Sequence, residues 1–125
     1  MPSHDHTKLE PHLNKALLAY KMKNFETFTS HVSDCIRELR EHIHWENKHG
    51  VIHELQQTHP ELGKDLKELS VDHQFLITSL EEAKYLARKN DTQAFEIFEQ
   101  FLKLRKKHVD HEDELYIDTH TKDLN

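Results

Sequence analysis

Apolar residues recur every three or four positions almost from one end of the chain to the other, the spacing that lines a single face of a helix. Leu9, Leu13, Leu17 and Tyr20 begin the series, and Phe28, Val32, Cys35, Ile36, Leu39 and Ile43 continue it. Leu62, Leu66, Leu69, Leu76, Ile77 and Leu80 follow, then Phe95, Phe98, Phe101, Leu102 and Leu115. Two glycines and three prolines in 125 residues leave too few turn formers for a β-sandwich, a barrel or a glycine-rich phosphate loop. The periodicity breaks at Asn24, at His59-Pro60 and at Asn90-Asp91-Thr92. It predicts four helices, over residues 7–23, 25–58, 60–90 and 92–118, in one domain spanning 1–125. Thr7 and Glu10 have capping-box spacing, and Asn24 can close the first helix and cap the second. The second helix is expected to run past Gly50 with a bend there. Pro60 pushes His59 out of helical geometry and is suited to open the third. Short connections between long helices imply antiparallel neighbours, so the expected fold class is all-α, an up-down-up-down four-helix bundle.

Net charge narrows the partners. Seventeen basic and twenty-three acidic residues leave −6, with histidine neutral, which disfavours nucleic acid and anionic membrane surfaces. No apolar run approaches the roughly 18–20 residues of a membrane span, and the first residues lack a leader's basic and apolar regions. The lone Cys35 has no internal disulfide partner, which suits a reducing compartment. The expectation is a soluble cytoplasmic protein, a monomer or weak homo-oligomer.

Thirteen histidines are a surplus for a chain of this length, and their placement is informative. The second and fourth helices each carry His-x-x-x-Glu, as His42 with Glu46 and His108 with Glu112, and a four-residue step aims both groups the same way. The first and third helices each carry an Asp-His pair followed by leucines, Asp5-His6 and Asp72-His73. In antiparallel helices, residues equally far from the connecting turn lie side by side. His6 and His42 are equidistant from Asn24, His73 and His108 from the Asn90-Asp91 bond, and Glu46 and His73 from the His59-Pro60 bond. His6, His42, Glu46, His73, His108 and Glu112 therefore fall at one height. Four imidazoles and two carboxylates facing inward in one layer are expensive to bury unless coordinated, so they are assigned as metal ligands. With both carboxylates bridging they supply about eight donor atoms, roughly two-thirds of what two six-coordinate metals need. A bridging oxide or hydroxide then leaves about one open position per metal. Mixed imidazole and carboxylate ligation of that kind suits iron better than zinc or manganese.

In these residues the chain resembles the hemerythrin-like, or HHE cation-binding, domain, whose pattern is His, His-x-x-x-Glu, His, His-x-x-x-Glu. The likeness covers essentially the whole chain, and Asp5-His6-Thr7-Lys8-Leu9 and Leu39-Arg40-Glu41-His42-Ile43-His44-Trp45-Glu46 are similar to bacterial members. The resemblance implies two non-haem irons bridged by the two glutamates and by oxo or hydroxo. It also implies binding, sensing or detoxification of dioxygen, nitric oxide or peroxide. Two departures stand out. Carriers of oxygen have a His-x-x-x-His pair on the third helix, whereas Leu69 and Ile77 flank His73 here. Many relatives continue after Glu46 with a second glutamate and Leu-Phe-Pro, where this chain has Asn47-Lys48-His49-Gly50.

Other residues receive plainer readings. Pro11 would kink a helix carrying His6 deep in its interior but is tolerable near a first turn. The rival His12 lies six residues, roughly 9 Å, off the level of His42. His49 and His111 are secondary candidates for a fifth histidine ligand. His4, His31, His44, His53, His59 and His120 are read as solvated. Cys35, Tyr20 and Trp45 are read as packing residues, and Arg105-Lys106-Lys107 as the wet face of the fourth helix. Two roles share the same ligands: a small-ligand binding module, and a di-iron enzyme acting on peroxide, nitric oxide or ferrous iron. A histidine phosphotransfer bundle fares worse, because Lys48-His49-Gly50 breaks the spacing after the phosphorylatable histidine and the best histidines face inward.

Overall fold

The computed structural model describes the backbone of residues 6–124 and the side chains of residues 8–50 and 52–118. It is almost entirely helical, with no strand among the described residues. The helices are α1 (His6–Lys21), α2 (Phe25–His49), α3 (Val51–Thr58), α4 (Gly63–Arg88) and α5 (Gln93–Leu124), with one 3-10 turn, Pro60–Leu62, ahead of α4. The long helices pack on one another chiefly as α1 on α2, α2 on α4 and α4 on α5. No helix is long and apolar enough to cross a membrane, among the described residues.

The connections follow from local chemistry. Lys23 at φ 57° turns the chain out of α1, and the Asn24 side chain accepts from the Thr27 amide at 3.1 Å to cap α2. Asn90, also at φ 57°, and the Asp91 carboxylate, which accepts from Gln93 N at 2.9 Å, do the same between α4 and α5. α1 continues through Pro11, one turn in from its start, where the proline removes only an early amide from the ladder. Two expected boundaries are corrected. The helix expected over 25–58 is two helices, divided at Gly50, whose φ of −88° and ψ of −164° are extended. The helix expected from Pro60 opens as a 3-10 turn and becomes α-helical only at Gly63. At the other end, α5 runs to Leu124, past the expected 118.

Two apolar clusters fill the interior. The larger holds Leu9, Leu13 and Ala16 of α1, Phe28, Val32 and Leu39 of α2, Leu76 and Leu80 of α4 and Phe95, Phe98 and Phe101 of α5, among others. On α1 the fully buried positions include Ala16 and Ala19, while Leu17 and Tyr20 pack half-buried at the edge. Phe28 meets Phe95 and Phe98 edge-on at 5.2 Å each, a geometry that adds to the roughly 1.5–3 kcal/mol from burying each ring. The smaller cluster is Ile52, Leu55, Leu66 and Leu69, with Leu62, Leu115 and Tyr116 against it. Along α2, α4 and α5 the buried polar residues fall between the two clusters: His42 and Glu46, His73, His108 and Glu112.

Candidate metal centre

The buried charged and polar residues among the described set are these five: Glu46 and Glu112 at 0% exposure, His73 and His108 at 3% and His42 at 9%. A four-residue step on α5 brings His108 Nε2 to 3.5 Å from Glu112 Oε2, and the same step on α2 brings His42 Nε2 to 3.8 Å from Glu46 Oε2. His73 reaches the α5 pair from α4, its ring 4.7 Å from that of His108. Ligand atoms of His73, His108 and Glu112 lie within 4.8 Å of one another, so this buried group can hold a metal ion. His42 joins His73 and His108 in lining a cavity of about 10 Å³, room for one water-sized molecule. The His6 side chain, assigned above as a ligand, lies outside the described residues.

The donor chemistry fits a cation. His108 Nε2 is sealed from solvent, makes no hydrogen bond of ordinary geometry and has a carboxylate oxygen as its neighbour. Two carboxylates enclosed with three imidazoles carry a desolvation penalty that a coordinated cation offsets. Geometry outside the ligands supports the same use. Asp72 Oδ2 stands 3.4 Å from His108 Nδ1, which directs the other ring nitrogen, Nε2, toward the layer's interior, the arrangement by which a carboxylate orients a metal-binding imidazole.

Glu46 is positioned by the break after α2. Its Oε1 accepts from the Ile52 amide at 2.9 Å, so the side chain caps the start of α3. A Cβ on Gly50 would run into that carboxylate, so glycine is the residue that fits at the break with Glu46 in this position. Each carboxylate oxygen has two lone pairs, so the Ile52 contact leaves Glu46 able to ligate.

Burial works against the His108 imidazolium, but Glu112 and Asp72 outweigh it, and the pKa is raised above the ordinary 6.5. A raised value in the folded state stabilises the fold fully below 6.5, and that stabilisation is lost as pH rises through the raised value. Chelator-treated protein should therefore lose, on going from acid to alkaline pH, part of its urea resistance that a His108→Gln variant never had. Parallel pH profiles for the two proteins would refute the assignment. Metal needs the neutral ring, so acid should also release it.

The remaining histidine candidates sit elsewhere. His12 Nδ1 faces Asp34 at 3.8 Å, and exposed His49 lies against Trp45 with ring centres 6.2 Å apart. His111 is near Asp65 and Glu68 on the surface side of α4 and α5. Two broad hollows of about 530 and 450 Å³ open there and meet the buried layer through Asp72. A smaller hollow of about 210 Å³, lined by Lys8, Glu38, Glu41 and Trp45, reaches His42 from the other side.

Sequence reasoning missed three residues. Asp72 was visible only as half of a repeated Asp-His pair, and Gly50 only as a bend in the second helix, with no link to Glu46. Arg105 is a correction: in the supposed wet run its side chain is 16% exposed, against 80% for Lys106, because four residues past Phe101 and three before His108 it lies on the inward stripe of α5, where it meets Glu10 of α1. No family model, curated protein or solved structure matches the chain in comparisons with each.

Proposed function

We propose that this chain is a hemerythrin-like protein, an up-down-up-down four-helix bundle holding two non-haem irons on His6, His42, Glu46, His73, His108 and Glu112. On this reading it is a cytoplasmic protein that binds dioxygen, or a related small ligand such as nitric oxide or peroxide, for sensing, storage or detoxification. The observation that carries the reading is the enclosure of His73, His108 and Glu112, with the His42–Glu46 pair in the same layer, between two apolar clusters. Bound iron would supply an electron-rich centre with open positions. The protein's own share is to fix the donors: Asp72 orients His108, Ile52 N–H orients Glu46, and the aliphatic walls exclude bulk water. An enzymatic role on peroxide, nitric oxide or ferrous iron draws support from Leu69 and Ile77 on either side of His73, which withhold a further imidazole and leave more of the metal open.

Metal analysis of protein purified from iron-supplemented cells should find about two irons per chain. Less than one metal of any kind in folded protein would overturn the reading. Anaerobic reduction followed by air separates the two roles: a spectrum that reverses under vacuum marks binding, and immediate oxidation with turnover of peroxide or nitric oxide marks the enzyme.

A further inference from the structure

Arg105 stands one turn before His108 on α5, and its guanidinium donates from Nη2 to Glu10 Oε1 on α1 at 2.7 Å. The Glu10 side chain is 49% exposed and that of Arg105 only 16%, so the arginine is the more deeply set member of the pair. Arg105 lines the same small cavity as His42, His73 and His108, whose other walls are Leu9, Leu39, Leu76 and Val109. A guanidinium has five N–H donors, so the bond to Glu10 leaves most of them for another acceptor. Its charge is also felt inward: burial lifts the Cys35 thiol to about 12, Asp34 adds to the rise, and Arg105 opposes it. A cavity with aliphatic and imidazole walls alone would favour a neutral diatomic molecule. A largely buried cation added to that wall favours an anion, because charges interact strongly where water is excluded.

We propose that Arg105, held in place by Glu10, makes this cavity a subsite for a small anion, so that the ligand of the metal centre is held in a negatively charged form. The inference rests on the metal reading above and specifies the class of ligand. The cavity, about 10 Å³ and sized for one water, restricts that ligand to the smallest anions.

The test uses iron-loaded protein and two probes: azide, a small monoanion, on the ferric form, and nitric oxide, a neutral molecule, on the ferrous form. Iron content and helicity are measured first for wild type, Arg105→Leu and Arg105→Lys. Arg105→Leu should weaken azide about tenfold, the loss of one charge-assisted contact, with nitric oxide affinity changed less than about twofold. Arg105→Lys should recover at least about threefold of the azide loss, because the charge survives. Iron-loaded wild type that fails to bind azide, Arg105→Leu that binds it as wild type does, equal losses for azide and nitric oxide, or a lysine variant no better than leucine each overturn the anion subsite while leaving the metal reading intact. Wild type that holds no iron overturns the metal reading, and the subsite with it.

Discussion

Gly50→Ala is expected to strip the centre of metal and lower the melting temperature while most of the helix content survives. The backbone at Gly50, φ −88° and ψ −164°, is open to any residue, so the effect is steric rather than conformational. An added Cβ would overlap the Glu46 carboxylate, which has no slack: it is fully buried and its Oε1 is fixed by Ile52 N–H. Glu46 must swing away, withdrawing a ligand and leaving a buried amide unsatisfied. Overpacking of this kind costs about 1–3 kcal/mol and the orphaned amide a similar amount, which together lower the melting temperature by roughly 6–25 °C. Gly63→Ala is the built-in control. Gly63 is at φ −49° and ψ −39°, and a Cβ there meets nothing within 4 Å. Alanine at that position should be neutral or stabilising by about 0.4–1 kcal/mol, with metal content unchanged. Wild-type iron and melting temperature in Gly50→Ala would remove the role assigned to the glycine.

The turns at Asn24 and Asn90, and the apolar stripes between them, were legible in the sequence because they depend on local chemistry: a capping side chain, a residue tolerant of positive φ, a three-four spacing. The levels of His42, Glu46, His73, His108 and Glu112 could be read for the same reason, since rise per residue is constant once the turns are fixed. What could not be read depends on rotation between helices. Asp72 and His73 are adjacent in sequence, yet the structure sends one toward the layer's interior and the other to the Nδ1 edge of a histidine on a different helix. Adjacency grouped Arg105 with two lysines, although four residues past Phe101 and three before His108 it falls on the inward stripe of α5; its partner, Glu10 on α1, could not be read from the sequence. A bend at Gly50 was expected and a full break was not, although Ile52 and Leu55, six and nine residues past Glu46, fall out of phase with the stripe of α2 and reach the core only because the helix divides. Leu17 and Tyr20 of α1 were expected inward and lie at the edge, since Ala16 and Ala19 fit the close approach to α2 better than larger side chains.

Three substitutions on the same protein should give a graded loss of metal, which separates ligation from general damage. His108→Ala removes a donor that stands 3.5 Å from Glu112 and within the His73 group, and it should lower metal affinity by more than about 100-fold, beyond the range for losing an outer partner. Asp72→Asn keeps the shape of its side chain but removes the charge facing His108 Nδ1, and it should weaken metal about 10–100-fold. His44→Ala lies on the same helix as His42 but is exposed, so it should change nothing beyond the roughly 0.5 kcal/mol typical of a surface position. Competition with a chromophoric chelator gives the affinities, and far-ultraviolet circular dichroism confirms that each variant is folded. His108→Ala also leaves Glu112 fully buried without its α5 imidazole, so His108→Gln, which retains volume and a polar group, guards against reading a misfolded centre as a missing ligand. Equal retention in the histidine 108 and 44 variants would show that His108 is not a ligand and that the buried layer is a structural network. Burial ranks the three positions in the same order, His108 at 3% exposure, Asp72 at 29% and His44 exposed, so the melting temperature is read beside the affinity: ligation predicts that Asp72→Asn loses metal with little loss of stability, whereas damaged packing lowers both together.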